Sequence, residues 1–175
     1  MPKFSMIGFH QLSDDDPALS HSPLLRAAQL TLQYAQDHGP IGLTKTGAFK
    51  RVFVHWAAEN FNWPGFSRDE LFEVNKVLNE YDFPPLELLH FILVQMKLAR
   101  HYKGEFRVTK RGAELLKSPA ELFTEVIPFF LFEIDHVAYW TCHAYVPVSE
   151  LFYAAFRSNA KGLLPPSDEC LRLGL

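Results

Sequence analysis

Between Leu86 and Leu98 the chain leaves almost no polar face on a helix. Leu86, Leu88, Leu89, Phe91, Ile92, Val94, Met96 and Leu98 cover nearly the whole circumference, with His90 among them. A helix apolar all round must be wrapped by other elements, so the rest of the chain has to supply its cover. Pro84 and Pro85 suit its opening turn, where a missing N–H costs nothing. Lys97, Arg100 and His101 gather at its end, where the helix dipole favours positive charge. Next, Tyr102, Lys103, Gly104 and Glu105 form a short polar turn with a glycine. Phe106, Arg107 and Val108 then alternate as a half-buried strand does, which predicts a small β-hairpin. Thr109 can cap a following helix through Ala113, Leu115 and Leu116.

The elements that wrap this centre are legible upstream. Ser22 before Pro23 reads as an N-cap with proline at the first helical position, and Leu24, Leu25, Ala28, Leu32 and Ala35 fall on one face up to Gly39 and Pro40. Phe49, Val52, Phe53, Trp56, Ala57 and Phe61 recur at helical spacing, and Asn62 to Gly65 breaks the chain. Ser67 with Glu70 makes a capping box for a third helix carrying Leu71, Val74 and Leu78 inward. Ser118 to Glu121 repeats that signal ahead of the apolar run Val126 to Phe132, in which Pro128 is expected to kink or end the helix. That run is too short to span a bilayer, which needs about 20 apolar residues. It reads as core or subunit contact.

Helix, hairpin and then Thr109-Lys110-Arg111-Gly112-Ala113-Glu114-Leu115-Leu116 resembles the wing of winged-helix proteins such as the MarR and PadR regulators, over about a third of the chain. It also resembles uncharacterised bacterial proteins with a similar Leu-Thr-Lys-x-Gly segment, a kinship that implies no activity. The expected fold is mainly α, a winged-helix-like helical domain with one or two short β-hairpins. Residues 1–21, with Asp14 to Asp16, read as a flexible N-terminal arm. Residues 22–157 read as a single helical domain, and 158–175 as a tail ending in Leu171, Leu173 and Leu175. Leu43-Thr44-Lys45-Thr46-Gly47-Ala48 is echoed by Val108-Thr109-Lys110-Arg111-Gly112-Ala113. The echo marks either two winged-helix-like units, 22–80 and 81–118, or a shared way of starting a helix.

Composition narrows the function classes. At 175 residues, with 48% apolar side chains and 16 Phe, the chain can bury a real core. Two cysteines, Cys142 and Cys170, give no disulfide framework and fit a reducing cytoplasm, and residues 1–10 show no signal peptide. A formal charge of −3 offers no global attraction to phosphate, so nucleic-acid contact would need a local patch. One exists: Lys97, Arg100, Lys103, Arg107, Lys110 and Arg111 are the candidate phosphate contacts, with His101 and Lys117 beside them. No GxSxG, P-loop or GxGxxG occurs, and the carboxylates at Asp14 to Asp16 and at Asp69 with Glu70 form no acid/base pair, so no catalytic residue or cofactor is assigned. Asp135, His136, Cys142 and His143 lack metal-ligand spacing, and His55 and His90, like them, read as satisfied histidines rather than ligands.

The helix ahead of the hairpin offers only Glu87, His90, Gln95 and Lys97 for reading base edges, a poor set for that task. The leading expectation is therefore a non-enzymatic, winged-helix-like binding module acting in the cytoplasm through a protein partner or homo-oligomer, using Phe129, Phe130, Phe132, Trp140 and Leu173. The alternative is a DNA-binding transcriptional regulator that holds phosphates with the basic hairpin.

Overall fold

The structure is a computed structural model and describes residues 12–134 and 136. Its elements run α1 (Pro23–Asp37), β1 (Ile41–Gly42), α2 (Arg51–Asn60), α3 (Arg68–Val74), α4 (Pro84–Gln95), β2 (Ala99–Tyr102), β3 (Glu105–Val108), α5 (Lys110–Leu115) and α6 (Pro119–Phe132), with single 3-10 turns at Pro17–His21 and Glu80–Asp82. The fold is mainly helical with one small antiparallel sheet in the order β1-β3-β2, as the sequence predicts in outline. Among the described residues no helix is long and apolar enough to cross a membrane.

α4 occupies the centre that its composition demands. Pro85, Leu86, Leu88, Leu89, His90, Ile92 and Leu93 are all buried, with α1, α6 and β2 packed around them. Burying a side chain of this kind contributes roughly 1.5–3 kcal/mol, so α4 is a principal source of the driving force for the domain. α1 starts as its sequence dictates: the Ser22 hydroxyl accepts the Leu25 N–H at 3.2 Å, and the expected stripe Leu24, Leu25, Ala28, Leu32 and Ala35 is buried. α3 opens with the predicted capping box, the Glu70 carboxylate accepting the Ser67 N–H at 2.8 Å. That hydrogen bonding, with the Ser67 hydroxyl bond first, lowers the Glu70 carboxyl below its ordinary value. α3 is shorter than its apolar spacing suggests. It stops at Val74, which is exposed, and Leu78 reaches the core from the connecting segment instead. α6 runs on through Pro128 to Phe132, because a proline in mid-helix removes a single backbone donor and flanking turns can carry the rest.

The sheet joins distant parts of the chain. Ile41 of β1 pairs with Phe106 of β3, and β2 pairs with β3 so that Arg100 faces Arg107 and His101 faces Phe106. Lys103 and Gly104 make the β2–β3 turn, both with positive φ (52° and 74°), the combination that a tight right-twisted hairpin requires. Ile41, Ala99 and Phe106 are buried on the inner face of the sheet. On the outer face are Arg100, Tyr102, Glu105 and Arg107.

The two copies of the six-residue echo fold differently. In the first, the Thr44 N–H donates to the Ala48 carbonyl at 2.7 Å and Leu43 bridges to Phe49, closing a tight loop; α2 starts only at Arg51 and has no side-chain cap. In the second, the Thr109 hydroxyl accepts the Gly112 N–H at 3.1 Å and caps α5 directly. The glycines answer different needs. Gly47 has φ +89°, a left-handed conformation, whereas at Gly112 an added Cβ would lie 2.1 Å from the Leu98 carbonyl oxygen. The described part of the N-terminal segment is tied to α6, the Asp14 carboxylate accepting from the Ala120 N–H at 2.8 Å and the Ser118 hydroxyl at 2.9 Å.

Candidate functional site

A histidine inside an apolar helix has to find polar partners, since an unmatched buried polar group costs several kcal/mol. His90 finds two. Its Nδ1 lies 2.5 Å from Oε1 of Glu80, itself buried in the short turn ahead of α4, and its Nε2 lies 2.7 Å from Nε2 of His101 on β2. The second Glu80 oxygen accepts the backbone N–H of Phe49. With both carboxylate oxygens accepting, Nδ1 of His90 carries a proton, and a single proton occupies the space between the two Nε2 atoms. Phe49 stacks on the His90 ring at 4.0 Å and Phe106 meets it edge-on at 5.4 Å, so aromatic rings cover His90 on both flanks. His101 carries it to the surface, its Nδ1 and Cε1 edge turned to Gly47. Burial chiefly, and then the neighbouring His90, lower the His101 pKa from its ordinary 6.5, with Glu80 opposing.

Glu80 was no sequence candidate and His90 read as a satisfied core histidine, which its two partners make it. The readable signal was a histidine among the apolar residues of the helix; that its partners lie ten residues before and eleven after is a property of the fold. Among the described residues no three His, Cys, Asp or Glu side chains group as metal ligands.

The predicted phosphate contacts divide into two sets. Arg100, Lys103 and Arg107 gather around the Tyr102 ring, at 5.6, 5.3 and 5.3 Å from its centroid. Arg107 is at the same time held by Glu105, with Nη2 2.7 Å from the carboxylate. The other set sits on α5. Arg111 is paired with Glu125 and donates to the Met96 carbonyl at 2.9 Å, and Lys110 lies 4.0 Å from Glu114. Lys97 is exposed at the end of α4 with φ +58°. A shallow groove of about 370 Å³ beside this face is lined by Ala35, Gln36 and Pro40 from the end of α1 and by Arg107, Thr109 and Lys110.

Of the predicted partner contacts, Phe129 and Phe130 are half-buried against the core and Phe132 is exposed. His136 joins this end of α6, its Nε2 2.7 Å from the Phe130 carbonyl oxygen. Trp140 and Leu173, with Asp135, Cys142 and His143, lie outside the described residues. Other large apolar side chains are exposed, among them Val52 and Val74, which the helical spacing had set with the inward-facing residues. Val52 is 77% exposed, Val74 80% and Tyr81 65%, with Val77 and Phe91 also open, all between α2 and α4. Arg51 and Asn79 are hydrogen-bonded at 2.9 Å, and Asn79 donates to the Tyr81 hydroxyl at 3.0 Å, fixing the start of α2 beside this turn.

The model of the Y4jL N-terminal domain matches residues 20–121, which hold both the histidine line and the hairpin. This chain belongs to the Y4jL N-terminal domain family. It is 40% identical over 126 residues to a protein of Sinorhizobium fredii described as uncharacterized protein y4jL, an alignment that takes in 72% of this chain and 57% of the relative. The chain thus spans little more than half the length of that Y4jL relative. No solved structure matches it. Within the family match fall Glu80, His90 and His101 as well as Arg100, Lys103 and Arg107.

Proposed function

We propose that this Y4jL-type domain is a winged-helix-like binding module that works through protein association rather than catalysis. The order α1-β1-α2-α3-α4-β2-β3, with β1 and β2 flanking β3, supports the comparison with winged helices, in which α4 would correspond to the helix that reads DNA and α3 would be an additional short helix. A single such unit runs from α1 to β3.

The observation that carries the reading is the character of residues 51–95. They hold six acidic side chains that reach the surface in whole or in part (Glu59, Asp69, Glu70, Glu73, Asp82 and Glu87), beside the buried Glu80, against three basic ones (Arg51, Arg68 and Lys76). Arg68 is itself paired with Glu59 at 3.1 Å. Val52, Val74, Val77, Tyr81 and Phe91 are open on the same stretch. A surface that is acidic and dotted with large apolar groups is repelled by a phosphate backbone and suits a protein partner, a second copy of the chain or another protein.

A second reading rests on Arg100, Lys103 and Arg107 around Tyr102. Three cations about one aromatic ring at a hairpin tip suit a phosphate backbone, with the protein acting as a regulator bound to DNA through its hairpin. Binding to a mixed-sequence duplex at low and moderate salt, with the oligomeric state recorded in the same buffers, separates the two. Protein association predicts no salt-sensitive DNA binding, and an assembly weakened by Tyr81→Ser with Phe91→Ser. A monomer whose DNA affinity falls steeply with salt, and is lost on replacing Arg100, Lys103 and Arg107 by Ala, would overturn it in favour of the regulator.

A further inference from the structure

The line Glu80–His90–His101 ties three successive segments of the chain: the turn before α4, α4 itself and β2 of the hairpin. Its His90–His101 contact joins α4 to the hairpin through a pair of imidazoles. We propose that it is a proton-operated latch, shut while the two imidazoles hold at most one positive charge and opened when both are charged.

The proton count follows from the contacts. The Glu80 carboxylate accepts the hydrogen bond of His90 Nδ1–H, and one proton lies between the two Nε2 atoms at 2.7 Å. A first extra proton can go to His101 Nδ1, which turns away from His90. His101 Nε2 still donates to His90 Nε2, and the latch stays shut. A second has only His90 Nε2 left, and that atom is already an acceptor in the contact. Two N–H groups cannot point at one another across 2.7 Å, and two imidazolium rings repel, so the rings must part. The exposed partner, His101, is the one free to move, and β2 moves with it.

On α4 itself the half-buried Glu87 stands three residues before His90. The groups that act on His101 are His90 and Glu80. From the first echo loop, Gly47 faces His101, and Lys50 lies along β1 beside Gly42. β3 contributes Phe106 and the loop ahead of α2 contributes Phe49, neither of which titrates. α1 and α6, which also pack on α4, bury apolar residues and Thr31. The lowered pKa of His101 agrees with a pair that resists charge.

The test is amide hydrogen exchange of residues 99–108 in the full chain, from about pH 7.5 to about pH 5, the range that spans histidine titration. Once the second step is reached, protection factors corrected for intrinsic exchange are expected to fall about tenfold per pH unit, the slope for one additional proton bound in the open state. His101→Gln offers an amide donor to His90 Nε2 and cannot charge, so its protection is expected to stay level over the same range. Loss of the Glu80 charge would appear equally in both proteins, which distinguishes it from the latch. Wild-type protection that stays level, or a variant that follows the wild-type curve, would overturn the proposal. Should the variant fail to fold, the histidine Cε1 proton resonances of the wild type decide. Two separated steps, the lower coinciding with the loss of protection, support the latch, and a single step at the ordinary histidine value refutes it.

Discussion

Residues 51–95 and residues 96–118 are neighbours in the chain and pack on one another, yet they are opposites in charge. The first stretch holds three basic residues to seven acidic, the second seven basic (Lys97, Arg100, Lys103, Arg107, Lys110, Arg111 and Lys117) to two acidic, Glu105 and Glu114. In the helical stretch α2 and α4 bury their apolar faces, and the outside carries more acid than base together with individually exposed large apolar groups. In the hairpin the burial falls to Ala99 and Phe106, and the outer face is free to carry arginine, lysine and tyrosine. A formal charge of −3 for the whole chain conceals this division, so net charge is a poor guide to which partner each surface suits.

The two regions meet at Phe106, whose buried ring touches Phe49 and His90. Phe106→Ala should break the junction and cost about 4 kcal/mol, read from the urea midpoint at constant slope. Glu80→Leu removes the acceptor from two buried donors, the Phe49 N–H and the His90 ring N–H, and should cost roughly 3 kcal/mol by the same measurement. Gly112→Ala drives a methyl group into the Leu98 carbonyl and should cost about 2 kcal/mol, while Glu114→Ala, on the exposed side of the same helix, should be nearly neutral.

Smaller effects sharpen the contrast in function. Replacing Arg100, Lys103 and Arg107 together by Ala should change stability by about 1 kcal/mol or less, because exposed ion pairs are weak. If the hairpin does hold phosphates, the same change should reduce the salt dependence of DNA binding by roughly 3 in log–log slope; otherwise no binding is there to lose. Smallest is the pH dependence contributed by His101. Its folded pKa lies below the unfolded 6.5, so the unfolded chain takes up the proton first. Its contribution to stability is complete above 6.5 and declines as pH falls from there through the lower folded value. Thermal midpoints of wild type and His101→Gln over that range should diverge in this direction.

Local chemistry was readable from the chain. Ser22 with Pro23, Ser67 with Glu70, and Thr109 each start the helix that their residue types favour, and the polar glycine turn at 103–104 makes its hairpin. The all-round apolar character of Leu86 to Leu98 correctly required a buried helix. What was not readable depends on long-range closure. The stretch from Ile41 to Thr46 reads as extended, but β1 has only two residues, too few to name a partner, and its pairing with Phe106 and Glu105 needed the fold. The echo looked like one device used twice because helix-start residues are few. Gly47 and Gly112 show that similar letters answered a turn in one place and a close approach in the other. The basic positions were readable as residues, but the pairing of Arg107 with Glu105 and of Arg111 with Glu125 needed the fold.

The turn at Lys103 has a bearing on how this hairpin can be altered. A side chain longer than that of asparagine or aspartate at φ +52° gives up roughly 1 kcal/mol relative to the residues that favour the left-handed region. Lys103→Asn, which places asparagine directly before Gly104, would therefore make a firmer hairpin and at the same time remove one of the three cations around Tyr102. Variants selected only for heat resistance should drift towards asparagine at this site, whereas variants selected for whatever the basic tip contacts should keep the lysine. Sorting the two pools by this single residue would show which demand governs the hairpin.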